Sequence, residues 1–120
     1  MEKENKIYTI EEIAQKTKPI FEKYNIEKAY VFGSYARGEA TANSDVDIMT
    51  VGKIDGFFSI GGLFEDLKKV LKKDVDLIRE ETYTKQKKIV QVSIDNKLNK
   101  QKEKFYKIIF KERKLIYGEK

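Results

Sequence analysis

The chain has 120 residues, of which 38% are charged and 40% hydrophobic, and it carries a formal net charge of +5. It contains no cysteine and no histidine, which excludes disulfides, thiolate and imidazole metal sites, and the commonest general base. Any chemistry must rest on carboxylates, hydroxyls, lysine, arginine or a bound metal. We expect one domain over residues 1–120 at a cytoplasmic location, without a membrane span, because no secretory signal and no long apolar run occur.

The first predicted element is a helix that begins with a capping box. Thr9 is the expected N-cap and Glu12 follows three residues later. Apolar residues then recur at helical spacing as far as Tyr24, which predicts one core-packing face. Pro19 lies inside this pattern, and we expect it to kink the helix or divide it near Lys18.

A polar loop between two apolar runs follows. We predict a first strand over 29–32, a short helix over about 35–37 that Gly38 stops, and a second strand over about 45–51. Asp45 and Asp47 are two residues apart, so on a strand they project from the same face. Two carboxylates on one face repel each other unless a cation lies between them, and Mg²⁺ is the simplest such cation with oxygen ligands.

The next elements are an amphipathic helix over about 58–72 and a third strand over about 74–78. Four lysines fall on the outer side of this helix and are expected to be a solvated face: Lys68, Lys69, Lys72 and Lys73.

The third strand offers a third carboxylate. Asp74 and Asp76 point to one of its faces, and if this strand lies beside the second, one of them can join Asp45 and Asp47. Three converging carboxylates can hold one or two Mg²⁺ ions, which clamp a triphosphate during an in-line displacement. Phosphoryl and nucleotidyl transfer need positioning and charge neutralisation more than covalent chemistry, which suits a chain without histidine or cysteine.

The last third of the chain is basic. Residues 81–120 hold 12 lysines and arginines against 5 acidic residues, a net charge of +7, whereas residues 1–80 have a net charge of −2. The residues from Ile89 to Ile94 suit either a helix or a strand, and helix is favoured because lysine and glutamine dominate the flanks. We also predict a later helix over about 98–111 and a short terminal strand or extended segment at 115–117. Strands alternate with helices, so the expected class is α/β or α+β, a small mixed sheet of three to four strands flanked by helices.

The turn at Gly33-Ser34 completes the pattern. Glycine lets a phosphate approach the backbone closely, and the Ser34 hydroxyl with nearby backbone N–H groups can bind phosphate oxygens. The segment from Gly33 to Asp47 consists of Gly-Ser, ten residues and Asp-x-Asp. This pattern resembles the signature of the minimal nucleotidyltransferases in the DNA polymerase β-like superfamily. The surrounding words Phe-Gly-Ser-Tyr-Ala-Arg-Gly-Glu-Ala, Ser-Asp-Val-Asp-Ile, Val-Asp-Leu and Leu-Ile-Tyr-Gly are similar to those of the family. The resemblance covers residues 1–80 well and is loose from 81 to 113.

The resemblance implies a nucleotidyltransferase fold and assigns roles to individual residues. The nucleotide-binding residues would be Gly33, Ser34, Arg37 and Ser44. The catalytic residues, which would also be the metal ligands, would be Asp45, Asp47 and Asp76. Arg37 and Ser44 either support the loop or touch phosphate, and Asp76 is favoured over Asp74 because the family places this carboxylate between two apolar residues. The cofactor would be Mg²⁺, as two ions, with ATP as substrate.

The resemblance also implies a function and a partner. The family's partners are commonly small helical toxins of the HEPN type, so the leading hypothesis is an antitoxin that transfers AMP from ATP to a tyrosine hydroxyl of such a toxin. One alternative is a catalytically silent antitoxin that neutralises its partner by occlusion. Another is a small-molecule nucleotidyltransferase of the aminoglycoside type, for which 120 residues leave little room to hold the acceptor.

The basic residues 81–120 are open to three interpretations. They form a solvated helix face, a docking surface for an acidic partner protein, or an RNA- or DNA-binding surface in which lysines interleave with aromatic residues. The nucleic-acid interpretation is not favoured, because Phe105, Tyr106 and Phe110 also fit a buried stripe. Nothing in the Gly33 to Asp47 segment chooses the acceptor, and residues 81–120 are the candidate for that choice.

Overall fold

The computed structural model describes residues 5–54, 56–82 and 97–119. The chain order of the elements is α1 (Ile10–Lys23), β1 (Lys28–Phe32), α2 (Gly33–Arg37), β2 (Val46–Val51), α3 (Gly56–Leu71), β3 (Val75–Arg79), α4 (Lys97–Glu112) and β4 (Lys114–Tyr117). The prediction of helix at Ile89 to Ile94 lies outside the described residues.

The strands form one four-stranded mixed sheet in the order β3-β2-β1-β4. β1 pairs antiparallel with β2 and β4, and β2 pairs parallel with β3. This confirms the predicted α+β class with a small mixed sheet flanked by helices. The parallel pair matters for function, because it sets the N-terminal ends of β2 and β3 side by side.

One face of the sheet, here called the closed face, is covered by α1 and α3. Alternate residues of β1 and β2 point to it, among them Val31 and Ile48, both fully buried. They pack against fully buried residues of the helices, Ile13, Leu63 and Leu67. Since burial of large apolar side chains is the main favourable contribution to folding, this face supplies most of the core.

The opposite face, here called the α4 face, is covered by α4. Phe32 and Met49 point to it from the sheet, and Tyr106 and Ile109 of α4 pack against them in a separate buried cluster. Arg113 extends this contact, because its guanidinium lies 3.9 Å from the ring centroid of Tyr30. The α4 helix is therefore fixed to the sheet by its C-terminal half.

The N-terminal helix forms as predicted, except at its proline. The Glu12 N–H donates to Thr9 Oγ1 at 3.1 Å and the Thr9 N–H donates to Glu12 Oε1 at 3.0 Å, which is a capping box. Pro19 lies within α1, which runs on to Lys23, so the expected division near Lys18 does not occur. Pro19 removes the hydrogen bond to the carbonyl of Gln15, and both residues are exposed, so water can replace the lost donor.

The prediction that Lys73 is solvated is wrong. Its side chain is buried, with 3% exposure, and its ammonium donates to the Ala42 carbonyl at 3.1 Å and lies 5.7 Å from the Tyr8 ring centroid. The reason is that α3 ends at Leu71 and Lys72 has a φ of 53°, so the chain has left the helix before Lys73.

No helix among residues 5–54, 56–82 and 97–119 is long and apolar enough to cross a membrane.

Candidate active site

The turn at Gly33 can be made only by glycine. Gly33 has a φ of +70°, which L side chains rarely adopt, and a Cβ built on it would lie 2.1 Å from Asp47 Oδ2. The backbone of the Gly-Ser turn therefore lies directly against the second carboxylate of the Asp-x-Asp pair. This close approach explains why the motif joins glycine to aspartate across 14 positions of sequence.

The loop between α2 and β2 is held by a left-handed glycine at its start, by a hydrogen bond within the loop and by a hydrogen bond from Lys73. Gly38 caps α2 in the left-handed region, with a φ of 74°. The Thr41 N–H donates to Ser44 Oγ at 2.9 Å, which closes the turn before Asp45. The buried ammonium of Lys73 also anchors this loop through the Ala42 carbonyl at 3.1 Å.

The parallel pairing of β2 and β3 sets the carboxylates beside each other. Asp47 and Asp76 are register partners, so both project from the α4 face of the sheet. Asp74 contributes through its backbone, because its carbonyl accepts the Val46 N–H at 2.9 Å. Both strands begin one residue later than expected, at Val46 and Val75, so Asp45 immediately precedes its strand.

The Asp47 carboxyl lies in a strongly negative setting. Its pKa is raised from the ordinary 3.8 to about 6, first by burial and then by the negative charges of Asp76 and Asp45. Glu112 raises this pKa as well, whereas the Arg37 guanidinium lowers it. A raised carboxyl pKa means that the ionised form lacks enough positive charge nearby, and a cation would supply it.

A cavity of about 330 Å³ opens between α2, the sheet and α4. Five of the residues expected from sequence to bind the nucleotide or metal line it: Gly33, Ser34, Arg37, Asp47 and Asp76. The α4 helix supplies the facing wall, and its residues in the cavity were not expected from the sequence: Phe105, Ile108, Ile109 and Glu112.

Glu112 joins α4 to the turn. Its carboxylate accepts a hydrogen bond from the Gly33 N–H at 2.9 Å and from Arg37 Nη1 at 3.0 Å. Arg37 also pairs with Glu39 at 3.0 Å, so its guanidinium is shared between two carboxylates. Glu112 lies on the same helical stripe as Phe105 and Ile108, but this spacing does not indicate which residue it contacts.

Asp45 and Ser44 lie beside this cavity and not in it. Both line a smaller cavity of about 110 Å³, together with the buried Lys73 and with Asp74. The Asp45 charge still reaches Asp47, as the raised pKa of Asp47 indicates. The roles of Ser44 in nucleotide binding and of Asp45 in metal binding stay predictions.

The donor set fits a hard divalent cation. Among residues 5–54, 56–82 and 97–119, no three carboxylates lie close enough together to form a complete metal cage. Mg²⁺ does not need such a cage, because it binds through one or two carboxylates, substrate phosphates and water. Asp47 and Asp76 are the aspartates that line the cavity, and the Glu112 carboxylate, which lines it as well, is paired with Arg37. Asp45 is exposed and near enough to act on the Asp47 charge.

The comparison with protein families agrees with this geometry. The family model described as polymerase beta nucleotidyltransferase matches residues 15–120. The chain therefore belongs to the polymerase β-type nucleotidyltransferase family, and it is a nucleotidyltransferase.

Two relatives come from Methanocaldococcus jannaschii, and both are provisionally named protein adenylyltransferases. One is 42% identical over 77 residues, which make up 61% of this chain and 77% of that protein. The other is 39% identical over 70 residues, which make up 58% of this chain and 75% of that protein.

Solved structures confirm the nucleotidyltransferase fold. A crystal structure of a toxin–antitoxin pair with AMP-PNP matches with a TM-score of 0.60 and 19% identity, over 89% of this chain and 74% of that one. A complex of tri-AMPylated Shewanella oneidensis HEPN toxin with MNT antitoxin matches with a TM-score of 0.56 and 16% identity, over 92% of this chain and 74% of that one.

Proposed function

We propose that the protein is a Mg²⁺-dependent protein adenylyltransferase that transfers AMP from ATP to a tyrosine hydroxyl of a small helical HEPN-type partner and thereby acts as its antitoxin. The observation that carries the proposal is the register pair Asp47 and Asp76, which faces the Gly33-Ser34 turn across one cavity. The provisional names of the two archaeal relatives and the AMPylated toxin in the structurally similar complex support this choice of reaction and acceptor.

The residues of the chain divide the work of this reaction. Gly33 lets a phosphate approach the backbone closely, Ser34 binds phosphate oxygens, and Arg37 adds positive charge on the same side of the cavity. Asp45, Asp47 and Asp76 would hold one or two Mg²⁺ ions, which when bound neutralise the phosphates. The acceptor hydroxyl oxygen forms a bond to the α-phosphorus while the bond to pyrophosphate breaks, and in this proposal Asp76 accepts the hydroxyl proton.

The test is a mass measurement on the partner. The purified protein, its partner, ATP and Mg²⁺ should yield a partner that is heavier by at least one adenylate, and omission of Mg²⁺ should abolish the product. The double variant Asp45→Asn/Asp47→Asn should yield none. An unchanged partner mass with the wild-type protein, or an equal gain with the double variant, would overturn the proposal.

A second candidate is an antitoxin that acts by occlusion without catalysis. The observation that favours it is the incomplete carboxylate cluster within residues 5–54, 56–82 and 97–119. On this hypothesis the double Asp variant would still neutralise the partner fully in cells. On the first hypothesis neutralisation is lost together with the mass gain, so the same variant separates the two.

A further inference from the structure

Two large apolar side chains of α4 are exposed in the active-site cavity. Phe105 has 51% exposure and Ile108 has 50%, and both line the cavity that also contains Ser34, Arg37 and Asp47. Tyr106 and Phe110 of the same helix pack toward the sheet instead, and Ile109, which also borders the cavity, is buried against the sheet. The predicted buried stripe is thus only partly buried, because Phe105 faces the cavity and solvent.

The apolar wall lies at a defined distance from the phosphate side of the cavity. Phe105, Ile108 and Glu112 are spaced by three and four residues, so they form one stripe along α4. Glu112 contacts the Gly33 N–H and Arg37, and Phe105 lies seven residues earlier, about 10 Å away along the helix axis. The cavity therefore runs from a polar end at the turn to an apolar end at Phe105.

The apolar wall is fixed relative to the turn. Ile109, with 1% exposure, and Tyr106, with 8%, hold α4 on the sheet, and the Tyr106 ring meets the Phe105 ring edge to face with centroids 5.8 Å apart. Glu112 joins the end of the helix to Gly33 at 2.9 Å. A ligand held at the turn would consequently meet Phe105 and Ile108 in a constant geometry.

We propose that Phe105 and Ile108 form the platform on which the nucleobase of the substrate stacks. The inference rests on the proposed function and adds the residues that bind the base. A nucleoside triphosphate has the same polarity as the cavity, with charged phosphates at one end and a flat aromatic ring at the other. Pockets of this kind combine apolar walls with a few polar groups, and bases of any identity stack on aromatic side chains.

The experiment compares ATP with inorganic tripolyphosphate, which lacks the base. Dissociation constants for both are measured by calorimetry with Mg²⁺ for the wild-type protein, Phe105→Ala and Ile108→Ala. We expect Phe105→Ala to weaken ATP binding about 10-fold, equivalent to about 1.4 kcal/mol, and to leave tripolyphosphate binding unchanged. Ile108→Ala should also weaken ATP binding, by a smaller factor, and leave tripolyphosphate binding unchanged.

Two matched variants control for general effects. Phe105→Tyr keeps an aromatic ring and should retain wild-type affinity for ATP. Ile7→Ala removes an apolar side chain of the same exposure, 51%, that does not line the cavity, and it should change neither constant. Circular dichroism of each variant verifies that the helix content is retained.

Three results would overturn the platform. Equal weakening of ATP and tripolyphosphate by Phe105→Ala would mean that the substitution disturbs the phosphate site. If Phe105→Ala leaves the ATP affinity unchanged but abolishes transfer to the partner, the apolar wall would bind the acceptor protein and not the base. Unchanged ATP affinity with normal transfer would remove Phe105 from the site altogether. Failure of the wild-type protein to bind either ligand would overturn the proposed function itself, which is a separate and recognisable outcome.

Discussion

The two faces of the sheet are covered to different extents. On the closed face, α1 and α3 bury a continuous layer that includes Ile13, Val31 and Leu67, all with 0% exposure. On the α4 face, a small cluster around Met49 and Ile109 lies beside a cavity that both charged and apolar residues line. Residues for stability and residues for chemistry are therefore separated by the alternation of side chains along the same strands.

The two faces meet at β2, where neighbouring residues serve different purposes. Val46 and Ile48 point to the closed face with 0% exposure, and Asp47 between them points to the cavity. The apolar residues hold the strand in register with β3, and the register places Asp47 beside Asp76. A change on the closed face should therefore alter stability, and a change at the cavity should alter transfer.

The largest expected effect comes from Gly33→Ala. The added Cβ would lie 2.1 Å from Asp47 Oδ2, so either the turn or the carboxylate must move. We expect transfer to fall at least about 100-fold, since misplaced charge stabilisation costs several kcal/mol in the transition state. The mass of the partner, followed over time, measures this loss.

Gly61→Ala is the matched control for this glycine. Gly61 lies in α3, and outside its chain neighbours and the backbone of its own helix no atom of the described residues lies within 4 Å of the position of an added Cβ. Transfer should be unchanged and the free energy of unfolding should rise by about 0.4–1 kcal/mol. A fully active Gly33→Ala protein would contradict the contact between the turn and Asp47.

Within α4, Ile109→Ala should be much more destabilising than Ile108→Ala. Ile109 has 1% exposure and packs on the sheet, whereas Ile108 has 50% exposure in the cavity. We expect the free energy of unfolding to fall by about 2–4 kcal/mol for the first and by no more than about 0.5 kcal/mol for the second. Urea denaturation measures the free energy of unfolding of both variants. Equal losses would mean that α4 does not pack on the sheet through Ile109.

Asp47→Asn should stabilise the metal-free protein at neutral pH. The pKa of Asp47 is raised to about 6 by burial and by the charges of Asp76 and Asp45, so between about pH 4 and 6 the folded protein binds more protons than the unfolded one. The free energy of unfolding of the wild type therefore falls as pH rises through this window. At pH 7.5 the variant should be more stable by about 1–2 kcal/mol after allowance for solvent screening.

Asp66→Asn is the control of opposite sign. Hydrogen bonds from Tyr24 and Lys23 lower the pKa of Asp66, so its charge stabilises the fold above the unfolded pKa and the benefit is lost as pH falls. This variant should be less stable than the wild type at pH 7.5, with the difference shrinking in acid. Chemical denaturation in EDTA across pH 4–7.5 measures both variants, and a destabilised Asp47→Asn protein would contradict the electrostatic description.

The sequence predicted the parts of the site that depend on local spacing. Gly33 and Asp47 could be found because a turn glycine and strand alternation leave a readable pattern. Alternation puts Asp74 and Asp76 on one face, so only the resemblance to the family favoured Asp76. The adjacency of β2 and β3 was a condition in the sequence analysis, and the parallel pairing meets it. β2 and β3 each begin one residue later in the structure than the sequence predicted. This leaves Asp45 at the boundary, where alternation alone does not fix the direction of its side chain.

Contacts between residues distant in sequence could not be read in this way. Glu112 reaches Gly33 across 79 positions, and Phe105 is indistinguishable by spacing from a buried residue such as Ile109. Lys73 turns inward because Lys72 has a positive φ, and no glycine at that position indicates such a turn in the sequence. These features arise from tertiary packing, so they required the structure.

Asp76→Asn and Asp74→Asn, compared in the adenylate mass assay, test whether the cavity on the α4 face is the active site. Asp76 faces the cavity beside Asp47, whereas Asp74 lies outside that cavity and supports β2 through its backbone carbonyl, which the substitution keeps. We predict that Asp76→Asn lowers the rate of partner modification at least about 100-fold and that Asp74→Asn retains most of it. Equal rates for the two variants, or the reverse order, would contradict the assignment of the α4-face cavity as the active site.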